Sequence, residues 1–233
     1  INIIGEHIDY NDGYVLPVAI DKIICFAFEK SNSNTSRIIA IDLDDEFEIN
    51  LNDPIELSDN VWTNYVRGVI LQLQNKGFQF DGVNCAFSSA IPVGSGLSSS
   101  AALECGFLFG INELYSLDIK PVDVALMGQS AEHWVGINCG IMDQFSSVMG
   151  LENKVIKIDC RTLEYEYHNA DFNDYSLILF DSNVKHALMT SAYNERREQC
   201  EEGIAILKAN FTEVKSFRDC TEEQMQSVKD KMS

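Results

Sequence analysis

The hydrophobic pattern of the chain changes between residues 82–90 and residues 98–115. In the first stretch apolar and polar positions alternate, which is typical of a strand with one buried face. In the second stretch apolar residues recur at helical spacing, which predicts a helix. Pro92, Gly94 and Gly96 interrupt both patterns. The sequence therefore predicts a strand, a glycine-rich loop and a helix in succession.

Further apolar runs and stripes predict the other elements of the chain. Strands precede the central loop, and helices alternate with strands after it, an order that indicates an α+β fold. The other predicted strands are Tyr14–Leu16, Ile23–Glu29, Arg37–Asp42, Glu46–Leu51, Lys154–Cys160 and Tyr175–Asp181. The other predicted helices are Asn60–Lys76, Pro121–Trp134, Ile141–Met149 and Ser191–Lys208.

The composition restricts the partners of the chain. Its 233 residues are 45% hydrophobic and 23% charged, which is ordinary for a globular protein. The formal net charge of −19 argues against nucleic acid and anionic lipid as partners, because few cations are available to neutralise phosphates. The chain has no apolar run of about 18 residues, so we expect no membrane span and no membrane partner.

Seven cysteines are scattered along the chain without a Cys-x-x-Cys pair. This arrangement argues against a zinc site and favours free thiols, mostly buried, in a reducing compartment. We therefore expect a cytoplasmic protein. Separately, we expect a monomer.

The loop at 94–100 has the features of an anion site. Gly94 and Gly96 allow close approach to the backbone, and Ser98, Ser99 and Ser100 are predicted to supply N-cap and first-turn hydroxyls. Free N–H groups and a dipole of about +0.5 charge favour phosphate at such a helix start. A Walker A loop would need a lysine and a Rossmann loop a third glycine, and neither is present. An ordinary loop with a serine cap is the alternative.

Two polar clusters are candidates for ligand contacts. Glu6, His7 and Asp9 follow an apolar run and could form hydrogen bonds to a sugar; the alternative is an exposed turn. Glu132 near a helix end could bind Mg²⁺ together with the Ser100 hydroxyl, since this cation prefers oxygen ligands. The alternative for Glu132 is a solvated helix end.

Asp143 is the candidate catalytic residue. It is predicted to lie in the first turn of a helix, where the helix dipole favours the ionised carboxylate. Such a carboxylate can orient a hydroxyl nucleophile and accept its proton. The alternative is a helix cap.

Four segments together resemble one family of small-molecule kinases. Residues 91–102 resemble the second motif of the superfamily named for galactokinase, homoserine kinase, mevalonate kinase and phosphomevalonate kinase. Residues 5–17 resemble the galactokinase signature, and residues 140–145 resemble the galactokinase segment that holds the catalytic Asp. Residues 182–201 are also similar to galactokinases.

The resemblance implies phosphorylation of the anomeric hydroxyl of galactose by ATP. It implies an α+β, two-domain small-molecule kinase fold whose N-terminal half resembles ribosomal protein S5 domain 2. The N-terminal domain would span 1–173, and an incomplete second domain would span 174–233. An Arg that the family places directly before the position of Ile1, and a Gly-rich third motif, have no counterpart in these 233 residues.

The resemblance also implies roles for individual residues. Asp143 would be the base or orienting group, and Ser100 and Glu132 would serve Mg²⁺. A kinase for a related sugar such as N-acetylgalactosamine, and a non-catalytic sugar- and ATP-binding regulator, are the alternatives. The implied sugar ligands are Glu6, His7, Asp9, Gly140 and Tyr193. The implied ATP ligands are Gly94, Ser95, Gly96, Leu97, Ser98, Ser99 and Ser100.

Overall fold

The computed structural model of the chain forms two compact units. One unit comprises Ile1 and Ala19–Leu151, and the other comprises Asn2–Val18 and Glu152–Ser233. The residues described are 1–92, 94–170, 172, 175, 177–180 and 186–232, with 186–191 described by their backbone alone.

The described part of the first unit is built on a four-stranded sheet with the order β2-β5-β3-β4. Strands β3 and β5 are parallel, whereas β2 with β5 and β3 with β4 are antiparallel. Residues on β5 alternate between buried and less buried positions, as its sequence pattern predicts. The strands are β2 (Ile24–Lys30), β3 (Thr35–Ala40), β4 (Asp45–Asn50) and β5 (Val83–Ser89).

Helices of the first unit cover this sheet and enclose its hydrophobic core. The Phe107 side chain is fully buried in that core, 5.7 Å from the Phe28 ring. At Gly110 an added Cβ would lie 2.1 Å from the same Phe28 ring, so glycine lets the helix approach the sheet closely. The helices are α1 (Val61–Asn75), α2 (Ser99–Tyr115), α3 (Pro121–Val135) and α4 (Met142–Met149).

The second unit contains an antiparallel sheet with the order β1-β6-β7. Arg218 crosses to this sheet, where it donates to Asp159 at 2.7 Å and to the Tyr14 hydroxyl. The Arg218 guanidinium is the main reason that the pKa of Asp159 falls to about 2. The elements are β1 (Tyr14–Val15), β6 (Lys154–Asp159), β7 (Tyr165–Asn169), α5 (His186–Asn210) and α6 (Glu222–Val228).

The α+β class is confirmed, and most predicted elements form within a few residues of their expected bounds. The strand predicted at 175–181 is wrong for the residues described there. Tyr175 and residues 177–180 pair with no strand, and the Phe180 side chain is 90% exposed. A strand needs a partner, and an apolar run does not reveal whether one is available. The sequence pattern also missed β7 and α6.

Two other expectations can be compared with the described residues. The predicted domain boundary between residues 173 and 174 lies outside them, so that division stays a prediction. All seven cysteines lie within them and are free thiols, as expected, but only Cys85 and Cys105 are buried. Cys25 is exposed because it occupies an outward position in the alternating pattern of β2.

The sequence predicts no membrane span, and the helices of the structure bear on this prediction. Within the described part of the chain, each helix is too short or too polar to span a bilayer.

Truncation of Phe107 should destabilise the protein strongly. We expect Phe107→Ala to lower the free energy of unfolding by about 3–5 kcal/mol, because a fully buried ring leaves a cavity. Phe109→Ala is the matched control, since this side chain on the same helix is 55% exposed. Urea unfolding of the two variants and the parent measures the difference. Equal losses in both variants would contradict the packing described for α2.

Candidate functional site

The glycine-rich loop has a backbone that only certain residues adopt easily. Gly94 and Gly96 have φ values of +72° and +70°. These are left-handed conformations, which glycine adopts without a steric penalty. The Ser95 hydroxyl donates to the Pro92 carbonyl at 2.7 Å and closes the turn. The loop therefore needs both glycines for its shape as well as for access to its backbone.

Ser98 occupies the N-cap position of α2, as predicted, but its side chain makes no cap hydrogen bond with the described residues. This part of the prediction is wrong. A capping serine normally has an extended backbone, whereas Ser98 has φ +56°. Intrahelical bonding starts with the Ala102 N–H, which donates to the Ser98 carbonyl at 3.1 Å. The preceding N–H groups of the first turn have no partner within the helix and can bind an anion.

Glu132 is buried, with 6% of its surface exposed, and it contacts the start of α2. The Ser100 hydroxyl donates to its Oε1 at 2.8 Å. Its Oε2 accepts hydrogen bonds from the Gln144 amide and, at 3.5 Å, from the Cys139 thiol. The structure thus brings Ser100 and Glu132 together and excludes the solvated helix end as a description of Glu132.

A turn after α3 explains how Cys139 reaches Glu132. Gly136 ends the helix with φ +104°, a conformation that reverses the chain. The Cys139 carbonyl then accepts a hydrogen bond from Gln129 at 3.2 Å and lies 2.8 Å from His133 Nε2. Two side chains of α3 therefore hold the returning segment against the helix that carries Glu132.

The environment of Glu132 raises its pKa to about 7, mainly because the side chain is buried. The charge of Asp143 adds to this rise, and the Ser100 hydrogen bond opposes it. A carboxylate and a hydroxyl are ligands that Mg²⁺ accepts, and a cation would compensate the buried charge. No three His, Cys, Asp or Glu side chains form a metal cage among the described residues. This donor set therefore fits a cation that takes its other ligands from phosphate and water.

Asp143 lies in the first turn of α4, as predicted, and is half-buried. Its charge raises the pKa of Glu132 and of Cys139, so its carboxylate acts on the same local environment. Gly140, just before this helix, is buried. The segment therefore presents an acid near the buried carboxylate and near the start of a helix.

Sequence reasoning missed three residues beside Glu132. Glu104 is fully buried on α2, and burial, followed by the charge of Glu132, raises its pKa well above the ordinary value. Burial and the same two acids raise the pKa of Tyr65 to about 12. Gln144 is fully buried as well. The sequence offered one signal, the acid Glu104 within an apolar helical stripe, because an acid is almost never fully buried unless it has a partner.

The sugar candidates in the second unit lie on a strained turn. Glu6 and His7 are exposed, and Asp9 is half-buried. His7 has φ +57°, a left-handed conformation that is uncommon outside glycine and often marks functional segments. Its carbonyl accepts a hydrogen bond from the Asn11 side chain at 2.8 Å, which helps to hold this conformation.

Tyr193 joins this cluster through aromatic contacts. Its ring centroid lies 5.3 Å from that of His7 and 5.8 Å from that of Tyr10. The Tyr10 hydroxyl lies 2.6 Å from His7 Nδ1, and the Arg197 guanidinium lies 4.8 Å from the Tyr10 ring. Burial raises the pKa of Tyr10, with Cys200 adding to the rise. Sequence reasoning missed Tyr10, although it stands within the motif at 5–17.

Two family models match the chain. The model of the N-terminal domain of GHMP kinases, the superfamily defined above, matches residues 64–151. The galactose-binding signature of galactokinases matches residues 1–30. The first match contains the glycine-rich loop, Glu132 and Asp143, and the second contains Glu6, His7 and Asp9.

Individual relatives agree with these models. Galactokinase from Actinobacillus pleuropneumoniae serotype 5b is 45% identical over 96% of this chain. Galactokinase from Thermotoga maritima is 41% identical over 98% of this chain. The chain spans 57% and 62% of their lengths. The crystal structure of Lactococcus lactis galactokinase complexed with galactose matches 99% of the chain and 60% of that protein, with a TM-score of 0.91 and 32% identity. Mevalonate kinase from Methanococcus jannaschii, at 17% identity and a TM-score of 0.63, shares the fold.

Replacement of Glu132 should change how stability depends on pH. The folded pKa of about 7 exceeds the ordinary 4.5, so the folded state holds the proton more tightly between these values. The stabilising effect is therefore complete below pH 4.5 and is lost as pH rises to about 7. We expect this loss to reach about 3 kcal/mol in the metal-free parent and to disappear in Glu132→Gln.

Unfolding by urea at several pH values, without divalent cations, measures this effect. Glu113→Gln, at an exposed position of α2, is the control for removal of a carboxylate. Parallel pH profiles for Glu132→Gln and the parent would show that Glu132 does not titrate in this range.

Proposed function

We propose that this chain, which matches the model of the N-terminal domain of GHMP kinases and the galactose-binding signature of galactokinases, belongs to a protein that phosphorylates the anomeric hydroxyl of galactose with ATP. The product is galactose 1-phosphate. The observation that carries the proposal is the buried Glu132, hydrogen-bonded to Ser100 at the start of the helix that follows the glycine-rich loop. This arrangement provides the oxygen ligands and the free N–H groups that a nucleotide with a divalent cation requires.

The proposed nucleotide site is the loop Gly94–Ser100. The left-handed Gly94 and Gly96 lack a Cβ, so phosphate oxygens can approach the backbone. The first-turn N–H groups of α2 supply hydrogen bonds to these oxygens. Because the whole chain has a net charge of −19, these local dipoles and a bound cation must provide the attraction for ATP.

We assign Ser100 and Glu132 as the residues that hold Mg²⁺. The chemistry that Mg²⁺ would supply there is neutralisation of charge on the phosphates. Ser100 and Glu132 themselves contribute a preorganised pair of oxygen atoms, since their side chains already lie 2.8 Å apart. Burial of Glu132 favours compensation of its charge by the cation.

Asp143 is the proposed base or orienting group. Its position in the first turn of α4 favours the ionised carboxylate, which can accept a hydrogen bond and then the proton from the sugar hydroxyl. Phosphoryl transfer depends mainly on positioning and charge neutralisation, so orientation of the nucleophile is a substantial contribution by itself.

The proposed galactose ligands are Glu6, His7, Asp9, Gly140 and Tyr193. Hydroxyl groups of a sugar need both donors and acceptors, which the first three side chains supply. The hydrogen bond between His7 and Tyr10, and the ring contact of His7 with Tyr193, fix the imidazole orientation. These contacts support a sugar-binding role for the strained turn.

A panel of sugars tests the substrate of the natural full-length protein. We expect ATP turnover to depend on galactose, while N-acetylgalactosamine supports little turnover. No observation favours the alternatives of another sugar or of a non-catalytic regulator. Absence of phosphorylation with any hexose would overturn the enzymatic proposal. A cytoplasmic location and a monomeric state stay predictions from the sequence.

Asp143→Asn keeps the shape of the side chain and removes its charge. We expect kcat of the full-length protein to fall by about 100-fold or more, with a smaller effect on galactose binding, because the proton acceptor is lost. Asp123→Asn is the control, since Asp123 is an exposed acid in the first turn of α3. Near-normal kcat in Asp143→Asn would contradict the proposed role of Asp143 as base or orienting group and would favour the alternative of a helix cap.

Gly96→Val should weaken ATP binding much more than galactose binding. The substitution adds a side chain to the loop and strains its φ of +70°. Gly77→Val is the matched control, because Gly77 has φ +80° and open space around it. Binding of each ligand is measured by calorimetry. Equal losses for both ligands, or the same loss in Gly77→Val, would indicate general destabilisation instead of a blocked phosphate loop.

A further inference from the structure

The turn that carries the proposed sugar ligands has a left-handed residue at each of its ends. His7 has φ +57°, and Asp12, which ends the short 3-10 helix Asp9–Asn11, has φ +60°. Such conformations are unfavourable for residues with a side chain and persist only where surrounding contacts hold them. The Gly13 N–H donates to the Ile8 carbonyl at 2.8 Å and closes the turn on itself. How the closed turn sits on the sheet of the second unit therefore depends on contacts from outside the turn.

Arg218 supplies such contacts from a distant part of the sequence. Its Nη1 donates to the backbone carbonyl of Asp12 at 3.2 Å and to Asp159 Oδ1 at 2.7 Å. Its Nη2 donates to the Tyr14 hydroxyl, and the guanidinium lies 4.1 Å from the centre of the Tyr14 ring. One guanidinium thus joins the end of the turn to β1 and to β6. Arginine suits this task because its planar group carries several donors in a fixed geometry.

The short 3-10 helix Phe217–Asp219, which carries Arg218, is itself fixed to the same turn. Arg161 donates to Ser216 Oγ at 2.6 Å and to Asp219 Oδ1 at 2.9 Å, and its Nε lies 3.5 Å from the Asp12 carboxylate. Asp219 also accepts from the backbone N–H of Ser216 at 3.0 Å. The side chains of Arg218 and its partner Asp159 are only 27% and 14% exposed, so solvent screens their ion pair less than a surface pair. Arg218 therefore has a defined position from which to hold the turn.

We propose that Arg218 is a positioning residue for galactose, which fixes the turn that presents Glu6, His7 and Asp9. The Asp12 carbonyl is the point at which it holds the turn, and its bonds to Tyr14 and Asp159 anchor it on the sheet. Arg218 acts through the turn and not by contact with the sugar. Its loss would let the turn move, so that the sugar ligands would no longer be preorganised. The role of the turn in this proposal rests on the proposed function.

Steady-state kinetics of the full-length protein separate positioning of the sugar from general destabilisation. We expect Arg218→Met to raise the KM for galactose about tenfold, with kcat and the KM for ATP within about twofold of the parent. Arg218→Lys should raise it about threefold, because lysine keeps the charge but lacks the planar fork. Arg37→Met is the matched control, since it removes another arginine ion pair, with Glu46 at 2.6 Å, and should change none of these constants. An unchanged KM for galactose in Arg218→Met, or an equal rise in both KM values, would overturn the proposal.

A double-mutant cycle with His7→Ala tests whether Arg218 acts through the turn. The measurement is galactose binding to the full-length protein by calorimetry. We expect Arg218→Met to weaken binding about tenfold in the parent but less than about threefold in the His7→Ala background, because the contact that it positions is already lost. Arg218→Lys, which keeps a positive charge beside Asp159, gives the same cycle with a smaller loss if Arg218→Met folds poorly. The same loss in both backgrounds would overturn the proposal. A parent that neither binds nor phosphorylates galactose would instead contradict the proposed function.

Discussion

The proposed nucleotide and metal chemistry depends on one buried carboxylate, that of Glu132. Its desolvation would be unfavourable alone, and the Ser100, Cys139 and Gln144 side chains compensate it by donating hydrogen bonds. These donors come from the start of α2, from the turn after α3 and from α4. The carboxylate therefore links the elements that carry the glycine-rich loop and Asp143, and its position depends on the packing of all three.

Burial makes this carboxylate suitable for a cation. In water a surface acid would be screened and would gain little from Mg²⁺, whereas a buried acid with a pKa near 7 gains from a positive neighbour. The same burial makes an unpaired polar atom near Glu132 energetically costly, so each of these atoms needs a hydrogen-bond partner. The proposed metal binding and the core packing are thus parts of one arrangement.

The second unit uses a different physical means to hold polar side chains. Its turn is shaped by the left-handed His7 and by the ring contacts of His7, Tyr10 and Tyr193. The aromatic rings and the Tyr10 hydroxyl restrict the imidazole of His7, whose side chain is otherwise exposed. Arg197 stacks on Tyr10 and adds a favourable cation–π contact. This cluster is compatible with recognition of a neutral, hydroxyl-rich ligand.

The sequence by itself determined the order of most elements, the glycine-rich loop and the positions of Glu132 and Asp143 in their helices. These features follow from local periodicity and turn residues, which are read within a short stretch of chain. Only the tertiary structure brought Glu104, Gln144 and Glu132 together, because their contact requires three helices to pack. It also decided that residues 177–180 remain unpaired, since pairing depends on a neighbouring strand and not on the apolar run itself.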